Sequence, residues 1–400
     1  TEENKTTDAP VPGSPDYPLH SELTIGAYLK QQVAIGPDHE FVVYPDRDLR
    51  WTYKDFDERT DALAKGLLAI GMKPGDHLGV WARNIPDWLT FMYATAKIGV
   101  VMVTVNPVYK SHELDYVLKQ SDMKALCVID AYRDVDYLQI IRDLVPESLN
   151  VQRGFLHSEE YPFLENLIYM GPEKHRGFYS VPELLLLGQH KPDSSLEWAQ
   201  GQFDNNDVVM MQYTSGTTGF PKGVMLTHKA ICAQIDMDFG IFPIDETDVF
   251  LSVLPLSHTY ECSIGLIYAF SKGARVVYLD RQPTASALMP ALKAVRPTVM
   301  LIVPLIIEKI YRHQVLAKFN SNGFWRTLYK VGFLRRYLHR VAGKKLLKLF
   351  GGRLRFLGIG GAKLDGGAEK FLLEAKVPYA IGYGLTETAP LLAGAAPSQV

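Results

Sequence analysis

The chain alternates short apolar segments with longer segments of helical periodicity, and this alternation constrains its fold more than any other feature. Residues 100–105 form an almost entirely apolar run of strand length, whereas residues 55–70 carry apolar residues at helical spacing. Strands that are apolar on both faces are typical of parallel sheets covered by helices on both sides. The sequence therefore predicts an α/β fold with two similar subdomains in series, residues 19–190 and 191–400, whose sheets are largely parallel and covered by helices.

The composition excludes several classes of protein. With 47% hydrophobic residues, 22% charged residues and a formal net charge of −2, the sequence is neither a disordered chain, a collagen-like fibre nor an integral membrane protein. Three widely spaced cysteines without a CxxC pair argue against a disulfide framework or a zinc site and favour a cytoplasmic location. Residues 1–18 are polar and Pro-rich, which predicts a disordered leader and not a signal peptide.

A segment rich in hydroxyl groups and glycine, residues 213–223, directly follows a predicted strand at residues 208–213. Backbone N–H groups and hydroxyls gathered at the carboxyl end of a strand are suited to cradling a polyphosphate, and Lys222 adds a cation. The segment lacks the Gly-Lys-Ser/Thr triplet of a Walker A loop. The alternative for a turn of this composition is a solvated loop. The specific order of residue types over eleven positions disfavours that alternative.

Four motifs, in this order along the chain, resemble those of the adenylate-forming (AMP-binding) superfamily. They are residues 213–223, Leu254-Pro-Leu-Ser-His258 followed by Glu261, Gly358-Ile-Gly-Gly-Ala362, and Gly382-Tyr-Gly-Leu-Thr-Glu-Thr388. The second motif resembles that of the medium- and long-chain fatty acyl-CoA synthetases. After the third motif, Lys363 departs from the usual small residue or proline, which leaves the acyl chain length open. The resemblance implies the large N-terminal domain of this fold, with the third, β-rich subdomain and the C-terminal domain missing. We therefore expect little synthetase activity from the 400-residue species.

The resemblance also implies a function: ATP- and Mg²⁺-dependent activation of a fatty acid to an acyl-adenylate, followed by thioester formation with CoA as co-substrate. Its implied catalytic residues are Thr386, Glu387, Lys222 and His258. The implied nucleotide-binding residues are Thr214, Ser215, Gly216, Thr217, Thr218, Gly219, Lys222, Gly360, Gly361, Ala362, Gly382, Tyr383, Gly384 and Thr386. The implied Mg²⁺ ligands are Glu387, Thr214 and Thr217. A single carboxylate beside phosphate oxygens suits Mg²⁺, because this ion keeps several of its waters.

Two functional alternatives remain at this point: an acyl-adenylate ligase that loads a carrier protein, and a non-catalytic module that binds acyl groups or nucleotides. The apolar residues Phe239, Ile241, Phe242 and Met300 are candidates for an acyl tunnel, and core packing is the alternative for each.

The charge is strongly segregated along the chain. Residues 309–364 contain no Asp or Glu and carry a formal charge of +14, so the rest of the chain carries −16. A basic segment interleaved with apolar residues predicts contact with an anionic membrane surface, at the inner membrane face. The alternatives are a solvated helical hairpin and binding of CoA phosphates. No nucleic-acid-binding motif accompanies the segment, so a nucleic-acid partner is not expected, and a homodimer is left open.

Overall fold

Two large β-sheets, a small two-stranded sheet and the helices around them make up the fold in the computed structural model, which describes residues 21–214, 221–281, 283–319, 321, 327 and 329–394. The strands are β1 (Glu40–Tyr44), β2 (Leu49–Thr52), β3 (His77–Trp81), β4 (Val101–Val105), β5 (Met123–Val128), β6 (Ala131–Tyr132), β7 (Val135–Asp136), β8 (Asn166–Tyr169), β9 (Phe178–Ser180), β10 (Val208–Thr214), β11 (Lys222–Thr227), β12 (Val249–Ser252), β13 (Arg275–Tyr278), β14 (Val299–Ile302), β15 (Phe356–Ile359), β16 (Tyr379–Gly384) and β17 (Leu391–Gly394). The predicted disordered leader, residues 1–18, lies outside the described residues.

Helices connect most of these strands. The α-helices are α1 (Ile25–Ile35), α2 (Tyr53–Ala69), α3 (Pro86–Lys97), α4 (Ser111–Gln120), α5 (Tyr137–Leu144), α6 (Val181–Gln189), α7 (Ser194–Gln200), α8 (His228–Ile241), α9 (Ala269–Ser271), α10 (Ala285–Val295), α11 (Pro304–Ile310), α12 (Ala317–Phe319), α13 (Gly332–Leu349) and α14 (Gly366–Ala375). Two π-helical segments, Tyr260–Tyr268 and Tyr311–Leu316, continue directly into α9 and α12, and short 3₁₀ turns cover Pro45–Arg47, Pro146–Leu149 and Thr386–Thr388.

Both large sheets are parallel except at their edges, which confirms the predicted fold class. One sheet has the order β11-β10-β4-β3-β5-β8-β9, and only its β10–β11 pair is antiparallel among the described strands. The other has the order β17-β16-β15-β14-β12-β13-β1-β2, with antiparallel pairs at its two ends. Because parallel neighbours need a crossover, helices separate most of these strands along the chain.

The assignment of strands to the two large sheets does not follow their order along the chain. The β1–β2 hairpin comes early in the sequence, yet β1 pairs in parallel with β13 through Val42 and Val276. The β10–β11 hairpin comes later in the sequence, yet it belongs to the sheet that contains β4, because β10 pairs in parallel with β4. The division into subdomains at residues 190 and 191 stays a prediction, and the sheets do not divide at that point in the chain.

Helices α2 and α6 lie unusually close together because each has a glycine at the contact. An added Cβ at Gly188 would lie 1.9 Å from the carbonyl oxygen of Ala62, and one at Gly66 would lie 2.1 Å from the carbonyl oxygen of Leu184. Any larger residue at these positions must therefore push the helices apart.

Helix α13 belongs to the basic segment and has two different faces. Its inner face packs on α14, where His339 and Gly343 are buried and Arg335 pairs with Glu374 at 2.8 Å. Its outer face leaves Phe333 72% exposed, with Tyr337 and Val341 exposed at successive four-residue intervals. No helix within the described parts of the chain is long and apolar enough to cross a membrane.

Candidate active site

The β10–β11 hairpin carries the two ends of the segment predicted to bind phosphate. Thr214 ends β10 and lies directly opposite Lys222, the first residue of β11. The predicted nucleotide ligands between them, Ser215, Gly216, Thr217, Thr218 and Gly219, lie outside the described residues, as does the predicted metal ligand Thr217. The roles of these residues stay predictions.

Two neighbouring strands of the other sheet bring the glycine motifs to the same place. Strand β15 ends at Ile359 and is followed by Gly360 and Gly361, and the parallel strand β16 ends at Gly384. Gly361 has φ +89°, a left-handed conformation that glycine adopts without strain. Because parallel strands end at one edge of a sheet, these glycines meet the 3₁₀ turn Thr386–Thr388 there.

A cavity of about 680 Å³ lies where the two sheets meet at these strand ends. It brings together predicted site residues from all four motifs: Thr214, Lys222, His258, Gly360, Gly361, Gly382, Gly384, Thr386 and Glu387. Ala362 and Tyr383 are not in its lining, and Tyr383 is 64% exposed. Nucleotide contacts by Ala362 and Tyr383 stay predictions.

The electrostatics of this cavity suit an anion and a cation together. Lys222 and Glu387 are both exposed to it, and neither has an ion pair or hydrogen bond within the described portion of the chain. Their charges are therefore available to a ligand. No group of three or more His, Cys, Asp or Glu residues with metal-binding geometry occurs among the described residues. The donors present, one carboxylate and the Thr214 hydroxyl, fit a hard ion such as Mg²⁺ that completes its coordination with water or phosphate oxygens.

The loop that carries His258 is held across the seam between the sheets. The side-chain amide of Asn84 donates to the Leu254 carbonyl at 2.7 Å, and its oxygen accepts from the Leu256 N–H at 2.8 Å. The Thr104 hydroxyl donates to the Ser257 carbonyl at 3.2 Å. Sequence reasoning missed Asn84 and Thr104, since lone polar residues after or within a strand carry no local signal.

His258 is exposed to the cavity, and the residues around it remove part of its water. This desolvation lowers the pKa of His258 below its usual value, so the imidazole is neutral near pH 7. A neutral imidazole can donate one N–H to a substrate oxygen while its other nitrogen accepts a proton.

A second, much smaller cavity of about 30 Å³ adjoins the large one. Tyr260, Gly382 and Leu391 line both cavities. Two of the acyl-tunnel candidates, Ile241 and Phe242, line the small cavity. Met300 instead packs in a separate core cluster on the other side of its sheet, and the side chain of Phe239 lies outside the described residues.

Two buried carboxyl groups also reach these cavities. Glu261 lines the large cavity and Asp238 lines the small one. Burial raises the pKa of each to about 8, so both are largely neutral at pH 7. The sequence motif points to Glu261, but Asp238 was missed because an acid within a helix is usually exposed.

Comparison with known proteins identifies the family. The family described as "AMP-binding enzyme" matches residues 29–399. The putative acyl-CoA synthetase YngI of Bacillus subtilis (strain 168) is 43% identical over 259 residues, which are 65% of this chain and 47% of that protein. The mitochondrial medium-chain acyl-CoA ligase ACSF2 of Danio rerio is 32% identical over 225 residues, which are 56% of this chain and 37% of that protein. The chain thus spans about half the length, or less, of these curated relatives.

Solved structures agree on the fold. The anthranilate CoA ligase AuaEII in complex with anthranoyl-AMP superposes with a TM-score of 0.71 at 19% identity, covering 96% of this chain and 63% of that chain. The N-terminal domain of FACL13 from Mycobacterium tuberculosis gives a TM-score of 0.66 at 19% identity, covering 92% of this chain and 77% of that chain. The architecture is that of the N-terminal domain of adenylate-forming enzymes, and the chain belongs to the AMP-binding enzyme family.

Proposed function

We propose that this chain carries the adenylate-forming site of an ATP- and Mg²⁺-dependent fatty acid–CoA ligase. The single observation that carries the proposal is the large cavity, where Lys222, His258, Thr386 and Glu387 come together from both sheets. Relatives named as acyl-CoA synthetases and acyl-CoA ligases support fatty acid, ATP and CoA as the substrates.

The reaction joins two anions, a carboxylate and a polyphosphate, and different residues of the cavity bind each of them. Lys222 neutralises phosphate charge, and the Thr386 hydroxyl donates to the α-phosphate, where negative charge develops. The neutral His258 orients the substrate carboxylate by donating a hydrogen bond. Glu387 and Thr214 would hold Mg²⁺, which when bound supplies further neutralisation of phosphate charge.

Glycines of the cavity wall pack closely against other parts of the protein. At Gly360 an added Cβ would approach the Tyr260 ring at 3.2 Å, and at Gly384 it would lie 1.8 Å from the Pro390 carbonyl oxygen. Larger residues would therefore disturb the wall. The acyl chain would run from the large cavity past Tyr260, and the small cavity of about 30 Å³, lined by Ile241 and Phe242 among others, would take only a terminal group of it.

The proposal can be tested on this 400-residue chain by measuring the binding of a non-hydrolysable acyl-sulfamoyladenosine with calorimetry. We expect Lys222→Ala to weaken binding by about 10-fold or more, the effect of losing one charge-assisted hydrogen bond. Lys229→Ala is the matched control, because Lys229 is exposed seven residues away and does not line the cavity. Binding that is equally weak for the acyl analogue and for AMP would contradict an acyl-adenylate site.

Product analysis separates the remaining alternatives. CoA-dependent formation of AMP and acyl-CoA supports the ligase, whereas transfer to a carrier protein alone would indicate a loading enzyme. Binding without any carboxylate-dependent pyrophosphate release would favour a non-catalytic module. Light scattering tests the homodimer.

We further propose that the basic segment 309–364 contacts an anionic membrane surface through the outer face of α13. Phe333 and Tyr337 are exposed there, and the exposed cations Arg336, Arg340, Lys344, Lys345 and Lys348 surround them. Each such cation near the surface contributes about 1 kcal/mol, and the contribution falls with salt. The protein should sediment with phosphatidylglycerol-containing vesicles at low salt, and Arg336→Glu/Arg340→Glu should release it. Equal sedimentation with neutral vesicles would contradict the proposal.

A further inference from the structure

Two carboxyl groups line adjoining cavities, and each has one oxygen without a partner among the described residues. Asp238 and Glu261 are both 1% exposed, and Oδ2 of Asp238 and Oε2 of Glu261 make no hydrogen bond. Tyr260 stands between them, because it lines both the large cavity with Glu261 and the small cavity with Asp238.

The environment of Asp238 fixes which of its oxygens is free. The Gln234 side-chain N–H donates to Asp238 Oδ1 at 3.1 Å. Gln234 is itself held, since its oxygen accepts from the Leu391 N–H at 2.9 Å. Oδ1 is therefore occupied, and Oδ2 is the oxygen of Asp238 that has no partner among the described residues.

Glu261 shows the same arrangement on the other side of Tyr260. The Ser252 hydroxyl donates to Glu261 Oε1 at 2.5 Å, which leaves Oε2 without a partner. Four residues along the π-helix, an added Cβ at Gly265 would come within 2.7 Å of the Glu261 carboxyl carbon. The helix therefore has a glycine where the carboxyl group needs space.

The remaining walls of the small cavity are mainly apolar. They include Ile241, Phe242, Ile264, Leu301, Phe356 and Ile381. A plain hydrocarbon chain in such a site would leave each buried carboxyl oxygen unpaired, at a cost of about 1–3 kcal/mol for each group. An oxygen atom on the acyl chain would satisfy one of them.

We propose that Asp238 and Glu261 are specificity-determining residues that select an acyl chain bearing a hydroxyl or keto oxygen over the unsubstituted chain. The inference rests on the proposed function, because it assigns the acyl part of the same adenylate. A carboxylic acid in its neutral form donates its O–H to such an oxygen, whereas an ionised carboxylate would instead select an ammonium group.

The carboxyl groups of Asp238 and Glu261 would contact different positions along the acyl chain. Glu261 shares the large cavity with His258, so it meets substituents near the reacting carboxylate. Asp238 lies beyond Tyr260 in the small cavity, so it meets substituents farther along. The preference should therefore depend on the position of the oxygen.

The test compares acyl-sulfamoyladenosines of one chain length that are unsubstituted, hydroxylated near the carboxyl carbon, hydroxylated farther along, or aminated. We expect the wild-type chain to bind at least one hydroxylated analogue about 10-fold or more tightly than the unsubstituted one, since a site built for a hydroxyl discriminates against its absence. Asp238→Val should abolish the preference for the distant hydroxyl, and Glu261→Leu the preference for the near one. The preference is the ratio of the two affinities measured for the same variant, so a general change in affinity does not affect it.

Ser263→Ala is the control, because Ser263 is a buried polar residue of the same π-helix that lines neither cavity. Circular dichroism checks that each variant is folded, and the wild-type preference is decisive even where a variant is not. Equal affinity for all four analogues, or tighter binding of the amine, would overturn the inference while leaving the adenylate site intact. No binding of any analogue would overturn the proposed function and this inference with it.

Discussion

Lys97 is a buried cation whose removal should destabilise the fold strongly. Its side chain is 0% exposed, and its ammonium group contacts Asp57 Oδ1 and Asp61 Oδ1, each at 2.6 Å. It also donates to the Thr60 hydroxyl at 2.8 Å and to the Asp57 carbonyl at 3.2 Å. Lys97 ends α3, so these contacts join α3 to α2. The substitution Lys97→Met keeps most of the side-chain volume and removes the charge.

The size of the effect follows from what the substitution leaves behind. Removing one partner of a buried ion pair costs about 3–5 kcal/mol, because the other charge stays buried and unpaired. Here Lys30 also bridges the two carboxylates from outside, at 2.7 Å to Asp57 and 2.6 Å to Asp61, and offsets part of this cost. We therefore expect a loss of about 3 kcal/mol for Lys97→Met. Lys30 is 48% exposed, so Lys30→Met should cost about 1 kcal/mol or less.

Urea unfolding followed by tryptophan fluorescence and circular dichroism measures both changes. The double variant should lose more stability than the sum of the single variants, because each lysine compensates for the absence of the other. Equal losses for Lys97→Met and Lys30→Met, or a loss below 1 kcal/mol for Lys97→Met, would show that burial does not make Lys97 the dominant partner of the two carboxylates.

Three further predictions concern packing, a second ion pair and pH. Gly188→Ala should destabilise the chain by about 1–3 kcal/mol in urea unfolding, because its Cβ meets a carbonyl oxygen at 1.9 Å; Gly240→Ala, with open space around the Cβ in helix α8, should be neutral or stabilising. Arg355→Met should cost about 1–3 kcal/mol by the same assay, because the buried Asp248 carboxylate loses its cation but keeps hydrogen bonds from the Thr298 hydroxyl and the Asp245 N–H. Folding raises the pKa of Glu261 from 4.5 to about 8, so the folded state keeps a proton that the unfolded state loses between those values. The contribution of Glu261 to stability should thus fall as the pH rises from 5 to 8, and Glu261→Gln should remove that contribution while the similar one of Asp238 remains; a slope equal to that of the wild type would contradict the raised pKa of Glu261.

The large cavity was predictable from the sequence to the extent that its residues follow strands. Thr214 ends an apolar strand, and Gly360 and Gly384 follow or end two others. Because side chains at the carboxyl ends of parallel strands share one edge of a sheet, motifs far apart in sequence come together without any long-range information. The helix and strand alternation predicted the layers for the same reason.

Strand partners and buried charge could not be predicted in this way. Nothing in the apolar pattern of β1 distinguishes β13 from β3 as its neighbour, since both present the same alternation to a parallel strand. Lys97 looked like an interruption of an apolar run, because its carboxylate partners lie about 40 residues earlier on another helix. Asp238 carries no local signal that its helix is buried.

The candidate active site lies where the two large sheets meet, and each sheet contains strands from both the early and the later part of the chain. The geometry of the site therefore depends on the contact between the sheets. The β10–β11 hairpin places Thr214 and Lys222 on one sheet, whereas Glu387 follows a strand of the other. The cation proposed to bind phosphate and the carboxylate proposed to bind Mg²⁺ therefore converge only if the two sheets keep their relative position. The hydrogen bonds of Asn84 to the loop before His258, and the parallel pairing of β1 with β13, tie the early part of the chain to the later part at this seam. A nucleotide bound in the cavity would contact both sheets at once. Its binding energy would therefore add directly to the stability of the seam, which couples occupation of the site to the integrity of the fold.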